Sequence, residues 1–397
     1  MESTIASYSR NSERLTYLDW LRALSIAGVL FFHAAMPFVS EWEWHIKNKD
    51  TSRILLEFNF WLSRFRMPLL FFISGTVSWF MMQKKSGVQF IGLRFKRLLL
   101  PLLFGMLVLV PPQVYLERIN QGYTGTYLDF YSSIFTSGPY PKGNMSWHHL
   151  WFIAYLFVFD VLCTPLFVWL IRGNGKRFLQ KLDIIAKGKW IYSLIFPSVI
   201  LFSALYFKFP ETNDLVNDWG RFIYWLLFLL TGFICIANPL LMESLQRNRR
   251  MSLIFALLSF LLISYLRWND CEPWSVLVAW KNSIWTYCYI GLWGITAWMW
   301  MFAAVGYGKQ YLNKRHKRLD YINKAVYPFY ILHQTIIVVI VFYVVKWDAT
   351  ILLKYFFTVL LSFLISMTIY HLLIRPYRIA GFLFGMKNNA KHKGRPI

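Results

Sequence analysis

Long apolar runs recur along almost the whole chain and are separated by short polar breaks. Several runs are long enough to cross a hydrocarbon core of about 30 Å at a helical rise of about 1.5 Å per residue. The pattern predicts an all-α, polytopic membrane helix bundle of about ten transmembrane helices. The predicted helices lie near residues 17–39, 54–82, 98–116, 149–171, 190–207, 221–241, 251–267, 283–305, 325–345 and 349–374.

The breaks also divide the chain into a membrane domain with two short flanking segments. We predict a cytoplasmic N-terminal segment at 1–16, a transmembrane domain at 17–378 and a basic cytoplasmic tail at 379–397. The longest outer loop, 117–147, is rich in Tyr, Ser, Gly and Pro. Such a loop could cap a cavity that binds a polar ligand, and a plain connector is the equal alternative.

Basic residues are concentrated in alternate breaks, which tests the helix assignment independently of hydropathy. Cytoplasmic loops of membrane proteins carry an excess of Lys and Arg. With a cytoplasmic N-terminus, the inner segments hold Lys84, Lys85 and the basic clusters at 172–189 and 309–324. The outer loops hold most of the acidic residues. This alternation predicts an even number of spans with both termini in the cytoplasm.

Composition excludes several classes of function. A formal net charge of +23 would suggest nucleic acid in a soluble protein, but 57% of the residues are hydrophobic and 20% are aromatic. We therefore expect a lipid bilayer as the partner and no nucleic acid. The four cysteines follow no metal-binding spacing, so no metal site is expected. The motifs of nucleotide-binding loops, serine hydrolases and zinc proteases are absent from the sequence.

The first helix carries an arginine and a histidine on one predicted face. Arg22 and His33 are eleven residues apart, which is about three helical turns and roughly 16 Å along the axis. Facing a common channel, they would suit a long donor such as acyl-CoA, with His33 as general base or as covalent acyl carrier. The alternatives are a core histidine bonded to another helix, and an arginine that extends to the inner interface.

The second helix carries two further arginines, Arg64 and Arg66, well inside an apolar span. Burying two guanidinium groups in a membrane is costly, so they should face a polar cavity. Both are candidates for binding acyl-CoA, and Arg66 could bind a carboxylate or phosphate group, or stabilise an oxyanion. The alternative is an ion pair with Glu57 or Asp160.

Other candidates lie near the two membrane surfaces. Arg94 and Arg97 precede the third predicted helix and could bind the phosphates of a nucleotide-bearing donor, or lipid headgroups. Candidates for acceptor binding or an accessory role are expected near the outer face, apart from the histidine of helix nine. They are Trp44, His45, His149, Trp151, Arg267 and His333.

Taken together, these segments resemble acyltransferase family 3, a family of membrane O-acyltransferases. The similar segments are YLDWLRA with FFH, FRMPLLFFISG, RFKR, HHLWFIAYLFVFDVL and YPFYILHQTI. Within the family, EWEWH, SRFRMPLLFFISG, HLWF and FLFGMK most resemble the periplasmic glucan succinyltransferase branch. The resemblance implies that Arg22 and His33 are the essential pair, with Arg66, Arg94 and Arg97 as further motif residues.

The resemblance also implies a function. We expect an acyltransferase that moves an acetyl or succinyl group from cytoplasmic acyl-CoA to a hydroxyl of a periplasmic or extracellular glycan, in the inner membrane of a bacterium. Acyl-CoA would be the donor substrate, and no permanently bound cofactor is expected. The competing hypothesis is a multi-pass transporter or flippase of a glycan or lipid-linked substrate, in which the buried Arg and His residues form a pathway.

Overall fold

The computed structural model describes residues 15–314 and 316–387, and this part of the chain forms a helical bundle. It contains nine helices that are long and apolar enough to span a membrane, and one shorter apolar helix, α5. In chain order they are α1 (Thr16–Phe38), α2 (Arg53–Met82), α3 (Gly87–Asn120), α4 (His148–Leu170), α5 (Trp190–Leu205), α6 (Trp219–Ala237), α7 (Arg249–Trp268), α8 (Ile284–Tyr311), α9 (Leu319–Val344) and α10 (Ile351–Ile374). The predicted all-α membrane bundle is thereby confirmed. Residues 1–14 and 388–397 lie outside the described residues, so our interpretations of both termini stay predictions.

The third helix begins at Gly87 rather than near residue 98, which corrects the predicted boundary. A capping box starts it, because the backbone N of Gln89 donates to Ser86 Oγ (3.3 Å) and the backbone N of Ser86 donates to Gln89 Oε1 (3.1 Å). The helix continues through a π-helical turn at Phe95–Leu99. Arg94 therefore lies on a helix and not in a connecting segment. The polar residues near Arg94 lower the local hydropathy, so the hydropathy pattern did not indicate this first part of the helix.

Two glycines bring α2 and α6 into direct backbone contact. A Cβ atom on Gly75 would lie 1.9 Å from the carbonyl oxygen of Leu229, and one on Gly232 would lie 1.9 Å from that of Phe72. Neither position can hold a larger residue without separating the helices. Small residues allow this approach in membranes, where packing replaces the hydrophobic effect as the force between helices. The contact fixes the position of α2, which carries two of the candidate arginines.

Contacts between the connecting segments fall into two separate groups. The predicted outer segments are joined by Glu41 with Arg267, His45 with Glu117, Asn48 with Lys354, and Trp147 with Asn213. The predicted inner segments are joined by Thr16 with Asn313, Asp183 with Asn238, Ala186 with Arg247, and Gln246 with Gln310. The two sets of segments therefore lie at opposite ends of the bundle, as the alternation of charge predicts.

The helices differ in how deeply they lie in the bundle. In its most apolar stretch, α9 has 72% of its residues buried, whereas α7 has 22%. Helices α7 and α10 expose many large apolar side chains, which suits helices at the lipid-facing edge. Helix α1 packs against α2, α8, α9 and α10. Polar residues on facing sides of α1 and α9 consequently lie in the middle of the protein.

Candidate active site

A pair of histidines joins α1 to α9 in the predicted outer half of the bundle. Nδ1 of His33 lies 2.9 Å from Nε2 of His333, and the two rings are almost parallel, with an interplanar angle of 5°. Nδ1 of the buried His333 lies 2.6 Å from the carbonyl oxygen of Tyr330. A carbonyl oxygen only accepts hydrogen bonds, so Nδ1 of His333 carries a proton.

This hydrogen-bond chain assigns the tautomers of both rings. In a neutral His333 protonated on Nδ1, Nε2 can only accept. The proton between the two rings therefore belongs to Nδ1 of His33, and the lone pair of His33 is on Nε2. Within the described residues this Nε2 atom makes no hydrogen bond, and the His33 side chain is only partly buried. His33 thus presents a basic nitrogen in the orientation that proton transfer needs.

Arg66 lies beside the histidine pair. Its guanidinium carbon is 3.4 Å from the centroid of the Phe32 ring, which in turn lies 5.6 Å from the ring centroid of His33. Nε of Arg66 is buried without a hydrogen-bond partner. The guanidinium is therefore held by an aromatic face rather than by a carboxylate. An arginine held in this way can bind a negative charge that develops next to His33.

The alternative ion pairs of Arg66 are not what the structure shows. Both proposed partners are already occupied, because Glu57 binds Arg267 and Asp160 binds Arg94. Both contacts are charged pairs that satisfy a carboxylate within or near a span, as membranes require. Arg66 therefore makes no ion pair within the described parts of the chain.

Arg94 is the centre of a buried polar contact between three helices. Its Nε lies 2.8 Å from Asp160 Oδ2, and its Nη2 donates to Ser78 Oγ at 2.6 Å. Ser78 in turn donates to Asp160 Oδ1 at 2.8 Å. The contact gives Arg94 a packing role between α2, α3 and α4, and its contact with a donor stays a prediction. Arg97 is partly exposed, and no ion pair to it is found among the residues that the structure describes.

Arg64 projects from a different side of α2 than Arg66. Residues two positions apart on a helix are rotated by about 200° around its axis, so Arg64 and Arg66 project to nearly opposite sides of α2. The guanidinium of Arg64 lies 4.0 Å from the ring centroid of Phe60 and 4.4 Å from that of Trp293. Its Nε is also buried without a hydrogen-bond partner. The two arginines thus contact different aromatic rings, and only Arg66 packs on Phe32.

Arg22 contacts α9, as His33 does, but closer to the predicted inner side. Its Nη2 donates to Asn323 Oδ1 at 2.8 Å and lies 3.5 Å from Asp19 Oδ1. Asn323 and His333 both belong to α9. Arg22 and His33 therefore share one flank of α1, as their spacing predicts. A channel between them stays a prediction.

A second polar network lies next to the histidine pair. Nδ1 of His45 is 2.5 Å from Glu117 Oε2, and Nε2 of Gln334 is 3.3 Å from Nε2 of His45. Tyr140 donates to the other oxygen of Glu117 at 3.2 Å. Burial and the adjacent Glu117 raise the pKa of Tyr140 to about 12, so its hydroxyl remains a donor at neutral pH. Two adjacent residues of α9 therefore contact the two histidines: His333 contacts His33, and Gln334 contacts His45.

A lysine holds the outer loop that carries Trp44. The Nζ atom of Lys47 donates to the carbonyl oxygens of Met36, in the last turn of α1, and of Val39 and Trp42 in the loop. Burial lowers the pKa of Lys47, and the nearby Glu43 opposes the change. The loop so held places the ring of Trp44 5.4 Å from that of His33, measured between centroids. Trp44 therefore forms one wall beside the candidate base.

The other predicted accessory residues fall in different places. His149 is buried with its ring centroid 5.3 Å from that of His333, so it belongs to the same group of rings. Trp151 packs among aromatic rings of α2, α4 and α6. Arg267 lies apart from the histidines, in ion pairs with two glutamates at the predicted outer end of α7.

The sequence analysis did not identify Glu117, Tyr140 or Gln334. The position of Gln334 beside a candidate histidine on α9 was an available signal. The other two residues flank or belong to an irregular loop, whose contacts follow no periodicity. Only the folded chain brings them to His45.

Comparison with known proteins identifies the family. The acyltransferase domain family matches residues 15–371. Glucans biosynthesis protein C of Escherichia coli O81 (strain ED1a), of Shigella dysenteriae serotype 1 (strain Sd197) and of Escherichia coli (strain K12) are each 23% identical to this chain over 336 residues, covering 81% of the chain and 82% of the relative. No solved structure matches the chain. Since the family match runs from α1 into α10, the chain belongs to acyltransferase family 3 and is a membrane acyltransferase.

Proposed function

We propose that this acyltransferase moves an acetyl or succinyl group from cytoplasmic acyl-CoA to a glycan hydroxyl at the periplasmic face of the bacterial inner membrane. The observation that carries the proposal is the contact of His33 Nδ1 with His333 Nε2, which assigns the lone pair of His33 to Nε2, with Arg66 nearby on the ring of Phe32. The name of the relatives, glucans biosynthesis protein C, supports a glucan as the class of acceptor.

The site supplies the groups that ester formation from a thioester requires. Nε2 of His33 removes the proton of the acceptor hydroxyl while the hydroxyl oxygen attacks the thioester carbon. The carbonyl electron pair moves to oxygen, and the guanidinium of Arg66 stabilises the resulting oxyanion. The intermediate then collapses with cleavage of the carbon–sulfur bond. The CoA thiolate leaves and takes the proton from Nε2 of His33, which regenerates the neutral base.

His333 contributes to the same step through Nδ1 of His33. When His33 becomes an imidazolium, its Nδ1–H bond to Nε2 of His333 becomes a charge-assisted hydrogen bond. Such bonds are roughly twice as strong as neutral ones. His333 therefore stabilises the charged form of the base without exchanging a proton with the substrate. A covalent acyl-histidine would use the same Nε2 atom as nucleophile.

The donor is expected to enter from the cytoplasmic side. Arg97 is partly exposed near the inner end of α3, and Arg22 lies about three turns from His33 on the same flank of α1. A donor with phosphates at the inner surface and a long arm matches this arrangement of positive charge. The basic inner segments and the even number of predicted spans support cytoplasmic termini.

A transfer assay tests the proposal directly. We would incubate the full-length protein in lipid nanodiscs with radiolabelled acetyl-CoA or succinyl-CoA and an unlabelled glucose hexasaccharide. Donor-dependent label on the sugar is expected for the wild-type protein and should be lost in His33→Ala. The matched control is His371→Ala, which changes an exposed histidine on α10.

Three results would contradict the proposal. Absence of label with either donor would contradict the donor or the acceptor class, and a full rate in His33→Ala would contradict the assigned base. In a parallel experiment with the protein in lipid vesicles, uptake of the sugar without labelling would instead indicate a transporter.

A further inference from the structure

An open cleft of about 430 Å³ lies at the predicted outer end of the bundle, apart from the histidine pair. It is formed where the loop after α1, the start of α2 and the end of α7 meet. The side chains that define its chemistry are Glu41, Arg53, Glu57, Arg267, Trp268 and Asp270. The mechanism above uses none of them.

The polar groups of the cleft are held in fixed orientations by Arg267. Its Nη1 donates to both carboxylate oxygens of Glu41 at 3.2 Å, and its Nη2 binds Glu57. Trp268 Nε1 donates to the other oxygen of Glu57 at 2.9 Å. The Arg267 side chain is only 10% exposed, and its Nε is buried without a hydrogen-bond partner. The carboxylates therefore form a rigid floor rather than a mobile surface cluster.

Other groups of the cleft remain available to a ligand. The side chains of Arg53 and Asp270 are exposed and make no hydrogen bond within the parts of the chain that the structure describes. The Trp268 residue is 49% exposed beside them. The cleft therefore offers unpaired donors and acceptors next to an accessible aromatic ring.

The charge of the cleft favours a neutral ligand. The cleft contains three carboxylates, from Glu41, Glu57 and Asp270, and two guanidinium groups, from Arg53 and Arg267. A phosphate or carboxylate ligand would meet excess negative charge, and a cation would meet carboxylates already bound by Arg267. A neutral polyhydroxyl compound can use both donors and acceptors, and the apolar face of a sugar ring can pack on Trp268.

A short segment connects the cleft to the candidate base. Glu41 lines the cleft, the ring of Trp42 lies 5.7 Å from that of Phe32, and the ring of Trp44 lies 5.4 Å from that of His33. Trp44 lies three positions after Glu41 in the chain, so their Cα atoms are at most roughly 11 Å apart. An oligosaccharide is long enough to extend over this distance.

We propose that this cleft binds sugar units of the acceptor that precede or follow the reacting unit, and so makes the enzyme selective for an oligomeric glycan. The inference rests on the proposed function for its link to acyl transfer. Binding of an oligosaccharide in the cleft can be measured independently of acyl transfer. The ligand class is a neutral oligosaccharide, and Trp268 and Asp270 are the residues that recognise it.

The test compares two acceptors and two tryptophan variants of the full-length protein. For Trp268→Ala we expect the KM for a glucose hexasaccharide to rise roughly tenfold, since lost packing on one aromatic ring corresponds to about one decade in affinity. The KM for methyl glucoside and the kcat for both acceptors should stay unchanged. Trp347→Ala is the matched control, because Trp347 is 43% exposed in another predicted outer segment.

A binding measurement separates this inference from the proposed function. Equilibrium dialysis of a fluorescently labelled hexasaccharide needs no turnover and can be made in a His33→Ala background. Binding that is weakened by Trp268→Ala and by Asp270→Asn but not by Trp347→Ala supports the cleft, whether or not acyl transfer is detected. Equal binding by all variants, or a wild-type protein that does not bind the sugar, would contradict sugar binding in the cleft even if acyl transfer occurs.

Discussion

Replacing His333 with Leu tests the assigned role of the histidine pair. Leucine fills most of the buried space but removes the Nε2 atom that lies 2.9 Å from Nδ1 of His33. A neutral hydrogen bond contributes about 0.5–1.5 kcal/mol, and a bond to a charged group about 1.5–3 kcal/mol. The bond between the histidines is neutral in the ground state and charge-assisted in the transition state. Its removal should therefore raise the barrier by about 1–1.5 kcal/mol, or roughly 5- to 13-fold in rate.

A second contribution comes from the tautomer of His33. Without the acceptor on His333, about half of the His33 rings would carry their proton on Nε2 and could not act as base. Together the two effects predict a fall in kcat of roughly 10- to 25-fold. Loss of the base itself in His33→Ala should cost about 100- to 10,000-fold. The effect of His333→Leu should thus be clear but smaller.

The assay is steady-state acyl transfer, with unfolding temperatures recorded for each variant. A positioning role predicts that kcat falls while the KM values for donor and acceptor remain the same. In His333→Gln, the side-chain oxygen can still accept the proton of Nδ1, so part of the rate should return. A folded His333→Leu protein with the wild-type kcat would refute the reasoning, as would a His333→Gln protein no faster than the leucine variant.

Three further predictions concern other parts of the molecule. Arg66→Met should lower kcat roughly 100- to 1,000-fold with little change in KM, as expected when an oxyanion loses its donor; a change in KM alone would instead indicate a binding role. Arg94→Met should destabilise the protein by about 3–5 kcal/mol in reversible unfolding experiments, because Asp160 then remains buried and charged; in combination with Asp160→Leu most of the loss should be recovered, and additive losses would contradict the ion pair. Asp218, the residue before α6, accepts hydrogen bonds from the Tyr155 hydroxyl at 2.6 Å and from the backbone N of Asn213 at 3.2 Å. Burial raises the pKa of Asp218 to about 6, above its usual value of about 3.9, so the stability that this proton contributes is present below about pH 4 and lost as the pH rises through 6. The difference in unfolding temperature between wild type and Asp218→Asn should therefore change between pH 4 and pH 7, and a constant difference would exclude this titration.

The helices and their alternation across the membrane could be predicted because both depend on local composition. An apolar run must satisfy its own backbone hydrogen bonds in lipid, so length and hydropathy suffice to identify α1 or α9. The start of α3 was missed because a capping box at Ser86 and a basic turn carry no hydropathy signal. The shared flank of Arg22 and His33 followed from helical periodicity, which is also local.

What the sequence by itself determined was the class of fold, the two-sided distribution of loops and the presence of ionisable groups too costly to be incidental. The tertiary structure alone decided their partners. It placed Arg94 in an ion pair with Asp160, left Arg66 against the Phe32 ring, and set the tautomer of His33 through His333. The reason is physical: burial makes a polar group need a partner, but the choice among partners depends on which helices pack together and at what height.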